Sequence, residues 1–291
     1  MIAAYISLMR PKHWLKNVFV VAPIAFAGHI ADPVLLRAAM LAFGAFCLAA
    51  SAIYCFNDVY DLQADRNHPR KSKRPVASGA VSVAGALSFA VILAAAGLAI
   101  SWSVGSHFLT IVLCYLAINV YYTIRGKHMV IGDAFCIAIG FVLRVIGGAY
   151  AINVSPTGWI VITTFFLSLF LGFGKRRNEI VVLESESTDH RPVLGEYNLP
   201  LLDQIMVATG TISIISYAIY TLDHNVIVKF GTDKLFYTVP FVAYGVFRYI
   251  HLLLRSKEGD PTEIVTSDRG LILTSFAWLA SFFLLWYYGH R

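Results

Sequence analysis

The strongest constraint on this chain is a succession of apolar runs, each long enough to cross a bilayer. A spanning helix needs roughly 20 mostly apolar residues. About nine such windows occur: Leu15–Ala27, Leu36–Phe56, Val81–Val104, Phe108–Ile124, Val130–Ile152, Trp159–Phe173, Leu202–Leu222, Phe236–Leu254 and Gly270–Tyr288. The first and sixth are short or interrupted. A β-barrel is the other structure able to span a membrane, and its strands read as ~10-residue alternating segments. The runs here are longer and do not alternate. The expected fold is therefore all-α, a multi-pass transmembrane bundle of about nine helices. Composition agrees, since only 14% of the residues are charged, against about 25% in soluble domains.

Lys and Arg residues orient the bundle, because cytoplasmic loops carry an excess of them. With the N-terminus inside, the inward segments 1–16, 57–79, 125–129, 174–201 and 254–269 hold 17 of the 23. The expected topology is N-terminus cytoplasmic and C-terminus outside, in an inner (plasma) membrane. This bias accounts for the net charge of +6, so no nucleic-acid partner is expected. The first window has features of a signal peptide, with Ala25-Phe26-Ala27 as a small-residue site. Basic residues run on to Lys16, however, which is long for such a leader. Cys47, Cys55, Cys114 and Cys136 all fall in apolar helices without CxxC spacing, and read as small buried hydrophobes. No linker separates independent parts, so residues 1–291 read as a single domain. A homo-oligomer is left open.

A transporter needs polar groups near the bilayer midplane. Here Arg144, Asn119 and scattered hydroxyls lie deep, while the long polar loops are all inward. That asymmetry suits an enzyme acting on a lipid at the cytoplasmic face. Its first constellation follows the second window. Asn57, Asp61 and Asp65 are spaced by four, with Asp58 beside them, so a helix would stack three on one face. Like charges at that spacing repel, and a cation removes the penalty. Oxygen donors without cysteine or histidine favour Mg²⁺. The alternative is a solvated helix end balanced by Arg66, Arg70 and Lys71. Placement at the end of a membrane helix, where charge is costly, favours function. Arg66, His68, Arg70, Lys71, Lys73 and Arg74 follow at once. A carboxylate-held Mg²⁺ beside such cations describes a diphosphate site, although some of the cations could serve topology alone.

The stretch NDVYDLQADRNHPRKSKRP resembles the NDxxDxxxD first motif of the UbiA superfamily of intramembrane prenyltransferases. More narrowly, MRPKHWLKN, GFGKRRNE, RPVLGEYN and GDPTEIVTSD are similar to the decaprenyl-phosphate phosphoribosyltransferase branch, over nearly the whole chain from Arg10 to Asp268. Many superfamily members carry a second Asp-rich motif in the loop expected over 174–201. This chain departs from it. Lys175-Arg176-Arg177 stand there, and Glu179, Glu184, Glu186 and Asp189 lack the aspartate spacing. More fixed positive charge and fewer carboxylates suit a donor with a 5-phosphate and an acceptor that is itself a phosphate. The run is also what topology sorting produces.

The resemblance implies transfer of 5-phosphoribose from 5-phosphoribosyl 1-pyrophosphate to a polyprenyl (decaprenyl) phosphate in the bilayer. Pyrophosphate would be released, and the product would serve as a precursor of cell-wall arabinan. Asn57, Asp58, Asp61 and Asp65 would hold Mg²⁺, with Asp58, Asp61 and Asp65 as the catalytic set. Lys16, Asn57, Lys71, Arg74, Lys127, Lys175, Arg176, Arg177 and Glu179 would bind substrate. A phosphate nucleophile is already ionised at neutral pH, so no strong general base is required. An aromatic prenyltransferase, such as a 4-hydroxybenzoate polyprenyltransferase, would share the fold and first motif but needs the missing acidic motif. A lipid transporter would leave the acidic cluster unexplained. Arg144 reads as structural or substrate-supporting, Tyr121 and Tyr122 as interface aromatics, and Asp268 as a helix N-cap.

Overall fold

A computed structural model describes residues 2–69, 71–185, 196–255 and 261–289. The described residues contain helices and turns and no strands. The α-helices are α1 Ile2–Met9, α2 Val18–Phe26, α3 Pro33–Tyr60, α4 Leu62–Asn67, α5 Val83–Val104, α6 Ser106–Ile124, α7 Gly132–Ala151, α8 Gly158–Ser185, α9 Leu199–Leu222, α10 His224–Phe230, α11 Val239–Arg255, α12 Pro261–Ser267 and α13 Arg269–Gly289. Eight of the described segments are long and apolar enough to span a membrane. They match eight of the nine windows. The first window is divided instead: a 3-10 helix, Pro11–Asn17, runs into the nine-residue α2, which contains Pro23. A proline inside a helix removes a backbone donor and crowds the preceding turn.

The chain divides into two compact units. The first comprises Met1–Lys127 and Ile139–Pro156, the second His128–Ala138 and Thr157–Arg291, so the division falls inside α7.

In the first unit, α3 is the central element and packs along α5, with α1, α2 and α6 against its other faces. It starts sharply, since Asp32 accepts from the backbone N–H groups of Val34 (2.8 Å) and Leu35 (3.2 Å) and Pro33 takes the first helical position. Such a cap contributes about 1 kcal/mol. Membrane helices gain contact by close approach of small residues rather than by expelling water. Ala45 and Ala49 of α3 accordingly face Gly97 of α5, where a Cβ would stand 3.1 Å from the Ala45 carbonyl oxygen. At Gly148 of α7 a Cβ would collide with the Val20 carbonyl of α2. Phe46 centres the core, 5.8 Å from Phe108 and 5.2 Å from Tyr115 between ring centroids. Gly105, with φ +151°, makes the abrupt corner between α5 and α6.

In the second unit, α8 and α9 pack along each other, and α9, α11 and α13 follow in sequence. Leu169, Phe170, Phe173, Leu202, Met206, Tyr249 and Leu253 form its core. Asp268 caps α13 as the sequence suggests, accepting from Leu271 N at 2.8 Å, and its carboxylate also meets Arg248. Helix α8 differs from expectation. The apolar window stops at Phe173, and a loop is expected from 174, but the helix continues to Ser185. Lys, Arg and Glu are good helix formers, and apolarity marks the membrane rather than the helix end.

Candidate active site

In the first unit, polar side chains gather where α3 ends. The helix runs through Asn57 and Asp58 and breaks at Asp61, whose φ of −91° and ψ of 10° leave helical geometry. Backbone bonds from Asp61 N to Asn57 O (2.9 Å) and from Asp65 N to Asp61 O (2.8 Å) carry the four-residue register into α4. The side chains are nonetheless sorted differently from the expected stack of Asn57, Asp61 and Asp65. Asp58 and Asp65, seven residues apart, share one guanidinium: Arg74 Nη1 lies 3.3 Å from Asp58 Oδ1 and 2.6 Å from Asp65 Oδ2. Arg10 also pairs with Asp58. Asp61 instead pairs with Lys127, whose Nζ sits 4.7 Å from the centroid of the Tyr60 ring. Asn57 Oδ1 accepts from the Thr123 hydroxyl.

Charge and burial explain the regrouping. Asp58 and Asp65 are 1% and 2% exposed, and a buried carboxylate is costly unless paired and hydrogen-bonded. Residues seven apart are two turns apart on one face, so a single guanidinium nitrogen, Arg74 Nη1, reaches both. Three carboxylates meet three cations, and this group is formally neutral. Of the other expected phosphate holders, Lys16 lies in the 3-10 helix Pro11–Asn17. Lys71 lies in the 3-10 helix Lys71–Lys73, its N–H 3.3 Å from His68 Nδ1. Arg70 falls outside the described residues.

The donor chemistry fits the expected metal, because Asn57, Asp58, Asp61 and Asp65 offer hard oxygens and no sulfur. The side chains face cations rather than one another, and among the described residues no three His, Cys, Asp or Glu side chains stand close enough to hold one ion. A divalent ion here would have to displace Arg10, Arg74 or Lys127 from the carboxylate oxygens.

In the second unit, the basic run of α8 is held by acids. Arg176 is buried, with Nε 2.5 Å from Asp133 Oδ2 and Nη1 paired with Glu179. The Tyr197 hydroxyl donates to Asp133 Oδ1 at 3.1 Å and accepts from Ile131 N at 2.5 Å. Burial, with the Asp133 charge behind it, pushes that hydroxyl up to about 12, so it keeps its proton and remains a donor. Arg177 Nε lies 2.5 Å from Asp203 Oδ1 nearer the surface. Lys175 is partly exposed. The side chain of Glu184, and Glu186 and Asp189 entirely, fall outside the described residues.

The expected residues thus fall into two groups, one in each unit. Sequence reasoning missed the partners. Arg10 lies 48 residues from Asp58, Lys127 is 66 from Asp61 and Arg176 is 43 from Asp133, so local spacing carries no signal for any of these pairs. Their signal is that a charge in or beside a membrane helix must have a partner.

Comparison with known proteins agrees with this architecture. The chain is 30% identical over 293 aligned positions to a decaprenyl-phosphate phosphoribosyltransferase of Mycolicibacterium smegmatis, covering 97% of this chain and 92% of the relative. It is 32% identical to the protein of that name from Corynebacterium glutamicum, covering 94% and 84%. A solved UbiA homologue from Archaeoglobus fulgidus, bound to GPP and Mg²⁺, has the same fold, with a TM-score of 0.74 at 20% identity over 97% of this chain and 99% of that one. The profile of the UbiA prenyltransferase family matches residues 17–265, which contain the acidic cluster and the basic run of α8. This chain, a multi-pass helical protein of the membrane-embedded transferase type, belongs to the UbiA prenyltransferase family.

Proposed function

We propose that the protein transfers 5-phosphoribose from 5-phosphoribosyl 1-pyrophosphate to a polyprenyl phosphate of decaprenyl type, releasing pyrophosphate at the cytoplasmic face of the plasma membrane. The product would feed cell-wall arabinan. The observation that carries this reading is the likeness to decaprenyl-phosphate phosphoribosyltransferases over 97% of the chain. The second group supports it, because a buried guanidinium, Arg176, occupies the space between Asp133 and Glu179. Users of two prenyl-diphosphate metal motifs would need carboxylates free for an ion there.

Asn57, Asp58, Asp61 and Asp65 would hold Mg²⁺. When bound, it would neutralise charge on the leaving pyrophosphate. Arg10, Arg74 and Lys127 would then turn from carboxylate to phosphate oxygens, and their charge would count most as negative charge grows during cleavage of the C1–O bond. Lys16 and Lys71 of the first unit, and Lys175 and Arg177 of the second, are further candidates for phosphate contacts, and Arg176 and Glu179 for substrate binding. The acceptor phosphate oxygen would attack C1 without a general base, being ionised already. Orientation rests on the 17 inward basic residues.

The second reading is a prenyl-diphosphate user, as favoured by the fold shared with the GPP-bound homologue from Archaeoglobus fulgidus. One assay separates the two. Membranes holding the protein receive labelled phosphoribosyl pyrophosphate, polyprenyl phosphate and Mg²⁺. Labelled lipid is expected. Its absence, with label appearing from a prenyl diphosphate instead, would overturn the proposal.

A further inference from the structure

Three cations are buried among the described residues: Lys127, Arg144 and Arg176. Lys127 faces Asp61, and Arg176 faces Asp133 and Glu179. Arg144, deep in α7 and 6% exposed, meets neutral groups. Its Nε donates to Asn17 Oδ1 at 2.7 Å, Nη1 to the Gly140 carbonyl at 3.0 Å and Nη2 to the Tyr115 hydroxyl at 2.8 Å. The guanidinium carbon stands 4.8 Å from the Tyr115 ring centroid and 5.1 Å from that of Phe141. No carboxylate among the described residues is within ion-pair distance of Arg144, so its charge is left without a counter-ion at a depth where charge is costly. Three of its five N–H groups are used in these bonds.

Two further donors stand beside it. Tyr115 accepts from Arg144, so its own proton is directed elsewhere. Asn119 Nδ2 bonds the Tyr115 carbonyl at 2.7 Å and has a second N–H. Gly140 borders these groups: a Cβ there would stand in ordinary contact, 3.6 Å from Arg144 Nη1, 3.9 Å from Tyr115 Cε2 and 4.0 Å from Asn119 Nδ2.

Two polar stripes connect these groups with the acidic cluster inside the first unit. On α6 and the turn after it, Tyr115, Asn119, Thr123 and Lys127 recur every four residues, ending on Asn57 and Asp61. On α3, Cys47, Ser51, Tyr54 and Asp58 share a face. There Cys47 meets Asn17, Ser51 meets Trp14, Tyr54 meets both Arg10 and His13, and Asp58 meets Arg10 and Arg74. From Thr123 to Tyr115 the rise is about 12 Å at 1.5 Å per residue.

We propose that Arg144, Tyr115 and Asn119, bordered by Gly140, form a second anion subsite, within the membrane span, that takes a phosphate monoester while the acidic cluster takes the pyrophosphate. The inference rests on the phosphoribosyl reading, in which both substrates carry such a group: the donor its 5-phosphate, the acceptor its lipid phosphate. A monoester dianion supplies the missing counter-charge and accepts the remaining N–H and O–H donors.

The test uses the full chain purified in detergent, with thermal stabilisation as the binding readout. The probes are farnesyl phosphate, farnesol as its uncharged control, and phosphoribosyl pyrophosphate with Mg²⁺. Wild type, Arg144→Gln and Gly140→Ala are compared, and KM for each substrate is measured alongside. Gly140→Ala meets its neighbours at ordinary contact distance, so it sets a methyl group against the Arg144, Tyr115 and Asn119 donors without disturbing the fold, and serves if Arg144→Gln does not fold. Both variants are expected to lose affinity for one phosphate by roughly tenfold or more, with the other substrate within about twofold. Farnesol binding should be unchanged. A loss confined to farnesyl phosphate assigns the lipid phosphate, and one confined to the sugar donor assigns the 5-phosphate. Unchanged affinity for both, or equal loss for both and for farnesol, makes Arg144 a packing strut and overturns the subsite. The binding readout needs no turnover. Failure of the phosphoribosyl reading shows separately, as wild type making no labelled lipid.

Discussion

The two polar groups use the same chemistry and differ in how tightly it is closed. In the first unit the guanidinium groups facing the acids remain reachable, with side chains 20% exposed at Arg10 and 28% at Arg74. In the second unit the Arg176 side chain is 3% exposed against an Asp133 that is fully buried. A cation at a partly wet site can change partners at small cost, because water compensates during the exchange. A buried pair cannot, since removing either partner strands the other charge. The proposal therefore places the metal and pyrophosphate chemistry on the first group and expects the Arg176–Asp133 pair to stay closed.

Four predictions sharpen or break that contrast, in falling order of effect. Asp61→Asn and Asp65→Asn should each lower kcat/KM by ~10²–10³-fold with little change in thermal stability, as read by turnover and melting in detergent. Wild-type activity in both folded variants would remove the metal and pyrophosphate assignment. Asp133→Asn should do the reverse, destabilising the fold by about 1–3 kcal/mol as Arg176 loses its buried partner and keeps only the more exposed Glu179. An unchanged melting temperature would mean that the second pair is as exchangeable as the first. Lys175→Gln or Arg177→Gln should raise the donor KM about tenfold at one position or the other, with the acceptor KM changing less. Flat kinetics in both would leave these cations to topology alone. Breaking the Arg177–Asp203 pair, whose acid is 46% exposed, should cost under about 1 kcal/mol in denaturation. A larger loss would place Arg177 with Arg176 in the closed group.

The bundle was legible because each apolar window had to become a helix; windows and helices agree to within a few residues at most ends. The division of the first window was not, since apolarity continues through Pro23 and the 3-10 helix before it carries no periodic mark. Nor was the continuation of α8, where the apolar run stops but helix-forming residues do not. The acidic cluster was legible as a cluster, because Asn57, Asp58, Asp61 and Asp65 are local. Its internal pairing was not. Four-residue spacing suggested a stack, while Arg74 bridges the seven-residue pair, and Arg10 and Lys127 arrive from distant sequence. Arg144 stood out as a charge too deep to be incidental, but only the folded chain shows that its partners are neutral.

The central claim is that the acidic cluster of the first unit acts on a phosphoribosyl donor, and that the buried pair of the second unit does not supply a second metal site. The most direct measurement is a side-by-side assay of wild type and Asp65→Asn. Each receives polyprenyl phosphate with labelled phosphoribosyl pyrophosphate, and in parallel labelled geranyl diphosphate with 4-hydroxybenzoate, both titrated with Mg²⁺ after chelation. Lipid-linked phosphoribose from wild type, dependent on Mg²⁺ and lost in Asp65→Asn, is the predicted result. Prenylated 4-hydroxybenzoate from wild type, or phosphoribosyl lipid undiminished in Asp65→Asn, would contradict it.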